Sequence, residues 1–215
     1  NNQIKLGALL SYFSIAVNVI AGLFYTPWMI NSIGRENFGL YTLAMSVIGL
    51  FLFDFGLSSA VTRFIAKYLA EGRVEKANQC LGLVYRLYFG IDVFLFIVLI
   101  AVFFFIPRIY QELTFDEIER FKIIYVIAAF YSVLSFPFIP VNGVLTAHEK
   151  FVQLKLCDVT HKIIIVGTMS VCLLLGYGLY ALVLVNVFAG LITIVLKLYC
   201  IKYFTPQEIN WNYWN

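Results

Sequence analysis

The sequence predicts an all-α fold, a polytopic membrane bundle of six transmembrane helices. Three observations predict it. Six apolar stretches follow one another along 215 residues, each near or above the ~20 residues that cross the hydrocarbon. Hydrophobic residues make up 62% of the chain and charged residues 13%, with mean hydropathy +0.89, a mixture that the surface of a water-soluble domain does not accommodate. The ~10-residue alternating segments of a membrane barrel are missing. Lipid is therefore the solvent for most side chains, and helices span it because each satisfies its own backbone hydrogen bonds.

The spans are expected at Gly7 to Ile30, Phe38 to Arg63, Leu81 to Ile106, Phe121 to Leu145, Leu156 to Leu175 and Leu179 to Leu198. The first is too long for a secretory apolar core and has no clear small-residue cleavage site, so it reads as a span. The second continues past Arg63 as an amphipathic surface helix, with Phe64, Ile65, Tyr68 and Leu69 beside Lys67, Glu71, Arg73 and Lys76. Pro137 and Pro140 interrupt the fourth and remove backbone donors, so that helix is expected to bend there; Pro27 bends the exit of the first. These three prolines are the hinge candidates, against the plainer reading of static kinks. Gly176, Tyr177 and Gly178 leave room only for a tight antiparallel hairpin between the fifth and sixth spans. Residues 1–200 read as one bundle, and residues 201–215 as an aromatic cytoplasmic or interfacial tail carrying Tyr203, Phe204, Trp211, Tyr213 and Trp214.

Basic residues set the expected orientation. With the N-terminus in the cytoplasm, Lys5, Arg63, Lys67, Arg73, Lys76, Arg86, Lys150, Lys155, Lys162, Lys197 and Lys202 fall inside. Only Arg35, Arg108, Arg120 and Lys122 fall outside. Positive loops stay cytoplasmic, so both ends of this segment are expected there.

Charges within spans are the first candidates for function, since each costs about 2.5–3.5 kcal/mol at a helix centre. Asp54 lies between Phe53 and Phe55, and Asp92 between Ile91 and Val93. Either a structural ion pair (Asp54 with Arg86, or Asp92 with Arg63) or a polar cavity wall or proton-coupling site accounts for them. Asn18, Asn142 and Asn186 are expected to bond between helices, with Asn18 also a cavity candidate. His148 and His161 read as interfacial side chains. Cys80, Cys157, Cys172 and Cys200 form no CxxC pair, so no metal or redox site is expected. The loops are short, and no P-loop, GxGxxG or paired catalytic carboxylate is present, which weighs against an enzyme. No cofactor and no nucleic-acid partner is expected.

Two motifs then carry a resemblance. Gly34-Arg35-Glu36-Asn37-Phe38-Gly39-Leu40-Tyr41 leads into the second span, and Leu52-Phe53-Asp54-Phe55-Gly56-Leu57-Ser58-Ser59-Ala60-Val61-Thr62-Arg63-Phe64-Ile65-Ala66 follows. Together they resemble the N-terminal region of Wzx-type polysaccharide flippases, in the multidrug/oligosaccharidyl-lipid/polysaccharide exporter superfamily. Members often have proline after the first glycine, where this chain has Arg35.

The resemblance implies one six-helix lobe of a two-lobed exporter, a second lobe as partner, and residues 201–215 as an inter-lobe linker or tail. It implies a bacterial inner-membrane flippase of undecaprenyl-diphosphate-linked oligosaccharide, working by alternating access among membrane lipids. Carried onto matching positions, it makes Asp54 and Arg63 candidates for ion coupling or cavity electrostatics; Asn18 and Asp92 join them on position alone. The alternatives are a multidrug exporter of the same superfamily, a non-transporting scaffold of polysaccharide assembly, and a glycosyltransferase or polymerase, for which the Ile109–Glu119 loop is too small.

Overall fold

The structure is a computed structural model and describes residues 2–51, 56–206 and 208. Within them it is helical, with no strand: α1 (Asn2–Ile33), α2 (Arg35–Phe51), α3 (Leu57–Ala70), α4 (Val74–Ile109), α5 (Phe115–Ser135), α6 (Pro140–Ala147), α7 (Phe151–Leu174) and α8 (Leu179–Phe204). A 3₁₀ turn at Phe136–Phe138 joins α5 to α6. Among the described residues, four stretches are long and apolar enough to cross a membrane: α4, α5 together with α6, α7 and α8. At 1.5 Å per residue the 36 residues of α4 reach about 54 Å, well beyond a ~30 Å hydrocarbon core.

Local chemistry explains the boundaries. Gly34, at φ 84°, takes the left-handed conformation that lets α1 pass directly into α2. The expected second span is not one continuous helix, because Gly56 also lies at φ 77° and starts α3 afresh. Asp54 falls among residues 52–55, outside the described residues. Thr114 and Glu117 form a capping box at the start of α5, with Glu117 Oε2 accepting from Thr114 N at 2.7 Å. Pro137 sits inside the 3₁₀ turn and Pro140 opens α6, where their missing N–H groups cost least. α8 continues to Phe204, past the expected boundary at residue 200, and Trp211, Tyr213 and Trp214 lie outside the described residues.

Packing follows sequence order only in part: α7–α8, α3–α4 and α4–α5 pair as chain neighbours, but α1 packs on α7, α2 on α5 and α3 on α6. The α7–α8 hairpin turns through Gly176 at φ 76°, and Tyr177 N donates to Cys172 O at 2.9 Å. One apolar core joins α2, α4, α5 and the start of α8 through Leu40, Leu99, Phe121, Tyr125 and Val183. Another joins α1, α7 and α8 through Met29, Met169 and Leu182. A third joins α3, α4 and α6 through Ile65, Leu81 and Val144. Large apolar side chains such as Phe94, Phe104, Phe130 and Leu174 are exposed on the outside, where lipid would meet them.

The α3–α6 approach is close because Gly143 has no side chain. A Cβ there would lie 2.7 Å from the Ser58 carbonyl oxygen, and Thr62 Oγ1 donates to Gly143 O at 3.2 Å. Gly143→Ala must push a backbone aside, so it is expected to cost about 1–3 kcal/mol. Thermal unfolding in detergent checks this: Gly143→Ala should melt lower than the native chain, whereas Gly90→Ala, with open space at its Cβ, should not.

Candidate functional site: a polar cavity between α5, α6, α7 and α8

A cavity of about 310 Å³ opens where the second half of α5, the 3₁₀ turn and α6 meet α7 and α8. Its polar walls come from four places. α5 supplies Tyr131 and Ser135, α6 supplies Asn142, α7 supplies Asp158 and His161, and α8 supplies Thr193 and Lys197. Helical spacing brings each set to one face: Asp158 and His161 are three residues apart, while Gly190, Thr193 and Lys197 follow at intervals of three and four.

Lys197 organises the cavity. Its side chain is only 15% exposed, and Nζ lies 2.9 Å from Asp158 Oδ1. The same Nζ donates to Asn142 Oδ1 at 3.0 Å. Lys155 approaches the other Asp158 oxygen at 3.8 Å. One carboxylate thus faces two ammonium groups, and the local balance is positive. A half-buried lysine needs such partners, because an ammonium without them pays the desolvation cost unopposed.

Deeper in, the imidazole of His161 bridges α7 to α8. Its Nδ1 lies 2.9 Å from Thr193 Oγ1 and 3.2 Å from Ala189 O. Thr193 Oγ1 itself donates to Ala189 O at 2.8 Å, which assigns the Nδ1 proton to the histidine and leaves Nε2 as the acceptor of the neutral ring. The Tyr131 ring lies over Gly190, where any Cβ would overlap its hydroxyl. Beyond it, Asn186 Nδ2 donates to Tyr41 OH at 2.9 Å, and α8 then enters the apolar core at Val183 and Leu179. The cavity is therefore polar toward the C-terminal end of α8 and sealed toward its N-terminal end.

A second polar cluster closes the opposite end of the bundle. Arg120 donates to Asn37 Oδ1 at 3.0 Å and to Glu36 and Asp116 at 2.6 Å each. Glu36 and Asn37 belong to the motif leading into α2, so that motif ties the α1–α2 junction to α5.

The residues expected from sequence do not gather at the cavity. Arg63 is exposed on α3, and Asp92 is buried in α4; neither lines the cavity. They form no ion pair with each other, and Asp92 Oδ1 is buried with no hydrogen-bond partner among the described residues. Asp92 falls between two contacts of α4: Tyr88 against Phe136 of the 3₁₀ turn, and Leu99 O accepting from the Tyr125 hydroxyl of α5 at 2.9 Å. Asn18 lies in α1, but its side chain is outside the described residues. Pro27 lies inside α1. Asn142 does reach the cavity, and Asn186 bonds across helices. His161, expected as an interfacial side chain, links α7 to α8. Nothing in the sequence singles out Asp158, Thr193 or Tyr131 alone; the available signal is a polar pair on α8 at 193 and 197 matched by 158 and 161 on α7. Among the described residues no three His, Cys, Asp or Glu side chains are placed to hold a metal ion.

A helical bundle with a polar, positively balanced pocket suits handling of an anionic group within a membrane. The model of the polysaccharide biosynthesis protein family matches residues 6–212. The chain belongs to that family. The match agrees with the Wzx-type resemblance carried by the motifs around α2 and α3, and extends it over nearly the whole chain. Comparison with curated proteins and with solved structures found no match. Membership of the polysaccharide biosynthesis family, together with the apolar helices, makes this a multi-pass membrane protein with a flippase or exporter role.

The Lys197–Asp158 pair invites a double-mutant cycle. Asp158 is 37% exposed, so screening limits the coupling to about 0.5–1 kcal/mol. Lys197→Met alone should lower the unfolding temperature more than Lys197→Met combined with Asp158→Asn. Strict additivity would show that the pair carries no coupling.

Proposed function

We propose that this chain flips undecaprenyl-diphosphate-linked oligosaccharide across the bacterial inner membrane by alternating access, serving surface polysaccharide export. On this reading its six hydrophobic stretches form one lobe, α2 with α3 and α5 with α6 each counting as one broken span. A second lobe completes the transporter, and both ends of the segment lie in the cytoplasm. The protein moves its substrate and does not transform it.

The observation that carries the reading is the Lys197 site. A sugar diphosphate cannot cross hydrocarbon unaided, and a pathway must offer it positive charge and hydrogen-bond donors while the lipid tail stays in the bilayer. Lys197 and Lys155 supply the charge; Tyr131, Ser135 and Asn142 supply polar groups around it. Under the positive-inside count, the polar end of this cavity faces the cytoplasm. Asp158 holds the lysine while the site is empty, and an incoming diphosphate takes over that role.

Asp92 is the coupling candidate. A carboxyl buried without a cation or a complete set of hydrogen bonds is tolerated as the neutral acid, so it is suited to take up a proton in one conformation and release it in another. Asp54, Arg63 and Asn18 keep their candidate roles in coupling or cavity electrostatics. Pro137 and Pro140 make the α5–α6 break the candidate hinge, and Pro27 the candidate hinge within α1.

Lys197→Gln is expected to reduce surface polysaccharide at least about tenfold, corresponding to one lost charge-assisted contact. The reading predicts that Lys197→Arg keeps most export, since the charge remains. Cells carrying each variant at matched membrane levels are compared by polysaccharide staining. Full export by Lys197→Gln would remove the cavity from the mechanism. For Asp92→Asn the expected result is a folded protein whose export no longer responds to a protonophore; an unchanged response would rule out coupling through Asp92.

A further inference from the structure

Two apolar grooves of similar size open on the outside of the bundle. One lies between α3 and α4, holds about 300 Å³ and is lined by Ala60, Phe64 and Tyr68 against Cys80, Leu83 and Leu87. The other lies between α4 and α5, holds about 310 Å³ and is lined by apolar side chains, among them Phe96, Phe104 and Phe130. Phe64 and Leu83 are 51% and 59% exposed, so the walls of the first groove present apolar surface that the described residues do not cover.

Their rims differ in charge. The α3–α4 groove ends at the turn that carries Lys67, Arg73 and Lys76, with Arg63 one turn above, against Glu71 and Glu75. Glu71 takes Arg73 at 3.0 Å and Lys67 at 4.0 Å. Arg63 and Lys76 have no acidic partner among the described residues, and all four basic residues are exposed. The α4–α5 connection is acidic instead, with Glu112, Asp116, Glu117 and Glu119 against Arg108, Arg120 and Lys122.

We propose that the α3–α4 groove is a binding site for an anionic phospholipid, one acyl chain seated along Phe64, Leu83 and Leu87 and the phosphate held at the basic turn. The chemistry matches at both ends. Hydrocarbon fills an apolar channel that no neighbouring helix closes among the described residues. A phosphate meets exposed lysine and arginine side chains, whose stems lie along apolar surface while their heads stay at the headgroup level. α3 is the element suited to this: it buries Val61 and Ile65 against α4 and α6, and presents Phe64 and Lys67 outward. The site is separate from the Lys197 cavity and shares no lining residue with it.

The test reconstitutes the full chain in phosphatidylcholine vesicles containing a trace of phosphatidylglycerol or phosphatidylcholine with a photoreactive acyl chain. Cross-linked peptides are then counted by mass spectrometry. The phosphatidylglycerol probe should label residues 57–68 and 80–88 about fivefold more than the phosphatidylcholine probe, the factor roughly one basic residue provides at an anionic headgroup. The α4–α5 groove should show no such preference. Lys67→Gln, Arg73→Gln and Lys76→Gln together, all on exposed positions, should abolish the preference while labelling itself persists. Equal labelling by both probes in the native chain would overturn the proposal. So would labelling spread evenly over all outward faces, or a preference that survives the triple substitution.

Discussion

The ammonium of Lys197 is the constraint around which the polar half of this bundle is built. A cation on a helix that is otherwise apolar must find an anion and acceptors, and it finds them on two other helices: Asp158 of α7 at 2.9 Å and Asn142 of α6 at 3.0 Å. Those contacts fix the rotation of α6, α7 and α8 about their axes, because each helix must present one particular face inward. Apolar packing alone would not choose that rotation, since lipid tails satisfy a leucine as well as a neighbouring helix does. His161 with Thr193 repeats the same logic one turn deeper, and Asn186 with Tyr41 carries it toward the opposite end.

Glycine decides how near the helices come. At Gly143 the α3 backbone approaches closely enough for Thr62 to donate to a carbonyl of α6, and at Gly190 a tyrosine ring occupies the place of a side chain. The second case has a functional side. Tyr131 over Gly190 ends the polar cavity, and beyond it the bundle is closed by Tyr125, Val183 and Leu179. On the proposed function, a cavity open at one end and closed at the other corresponds to one state of an alternating-access cycle.

Much of the fold was legible because the signals were long and one-dimensional. Apolar runs gave the helices, Gly176 and Gly178 marked the hairpin, and Pro137 and Pro140 marked the break that the 3₁₀ turn realises. Gly56 was harder: within an apolar run a glycine reads as a packing residue, and only its left-handed backbone reveals a new helix start. The candidate site was mostly illegible. Lys197 stands two turns from the end of α8, where a long side chain either snorkels outward or turns inward, and sequence does not distinguish the two. What decides is the presence of Asp158 and Asn142 on helices distant in sequence. Asp92 stands out because its sequence neighbours are apolar, yet it lines no part of the Lys197 cavity and its Oδ1 has no hydrogen-bond partner among the described residues.

The electrostatics also link the site to motion. Removing one partner of a buried ion pair costs about 3–5 kcal/mol, and less where water reaches the pair, as it does at Asp158. Swinging α7 away from α8 and leaving Lys197 bare therefore costs about 0.5–1 kcal/mol for a pair this exposed. That cost falls if another anion arrives first, because the lysine then exchanges one negative partner for another and the helices lose the contact that held them. On the proposed function that anion is the substrate's diphosphate. Binding would then loosen the α6–α7–α8 junction only when the substrate is in place. A ligand shifts a conformational balance only by binding one state better than the other, and an ion pair that substrate replaces supplies that difference.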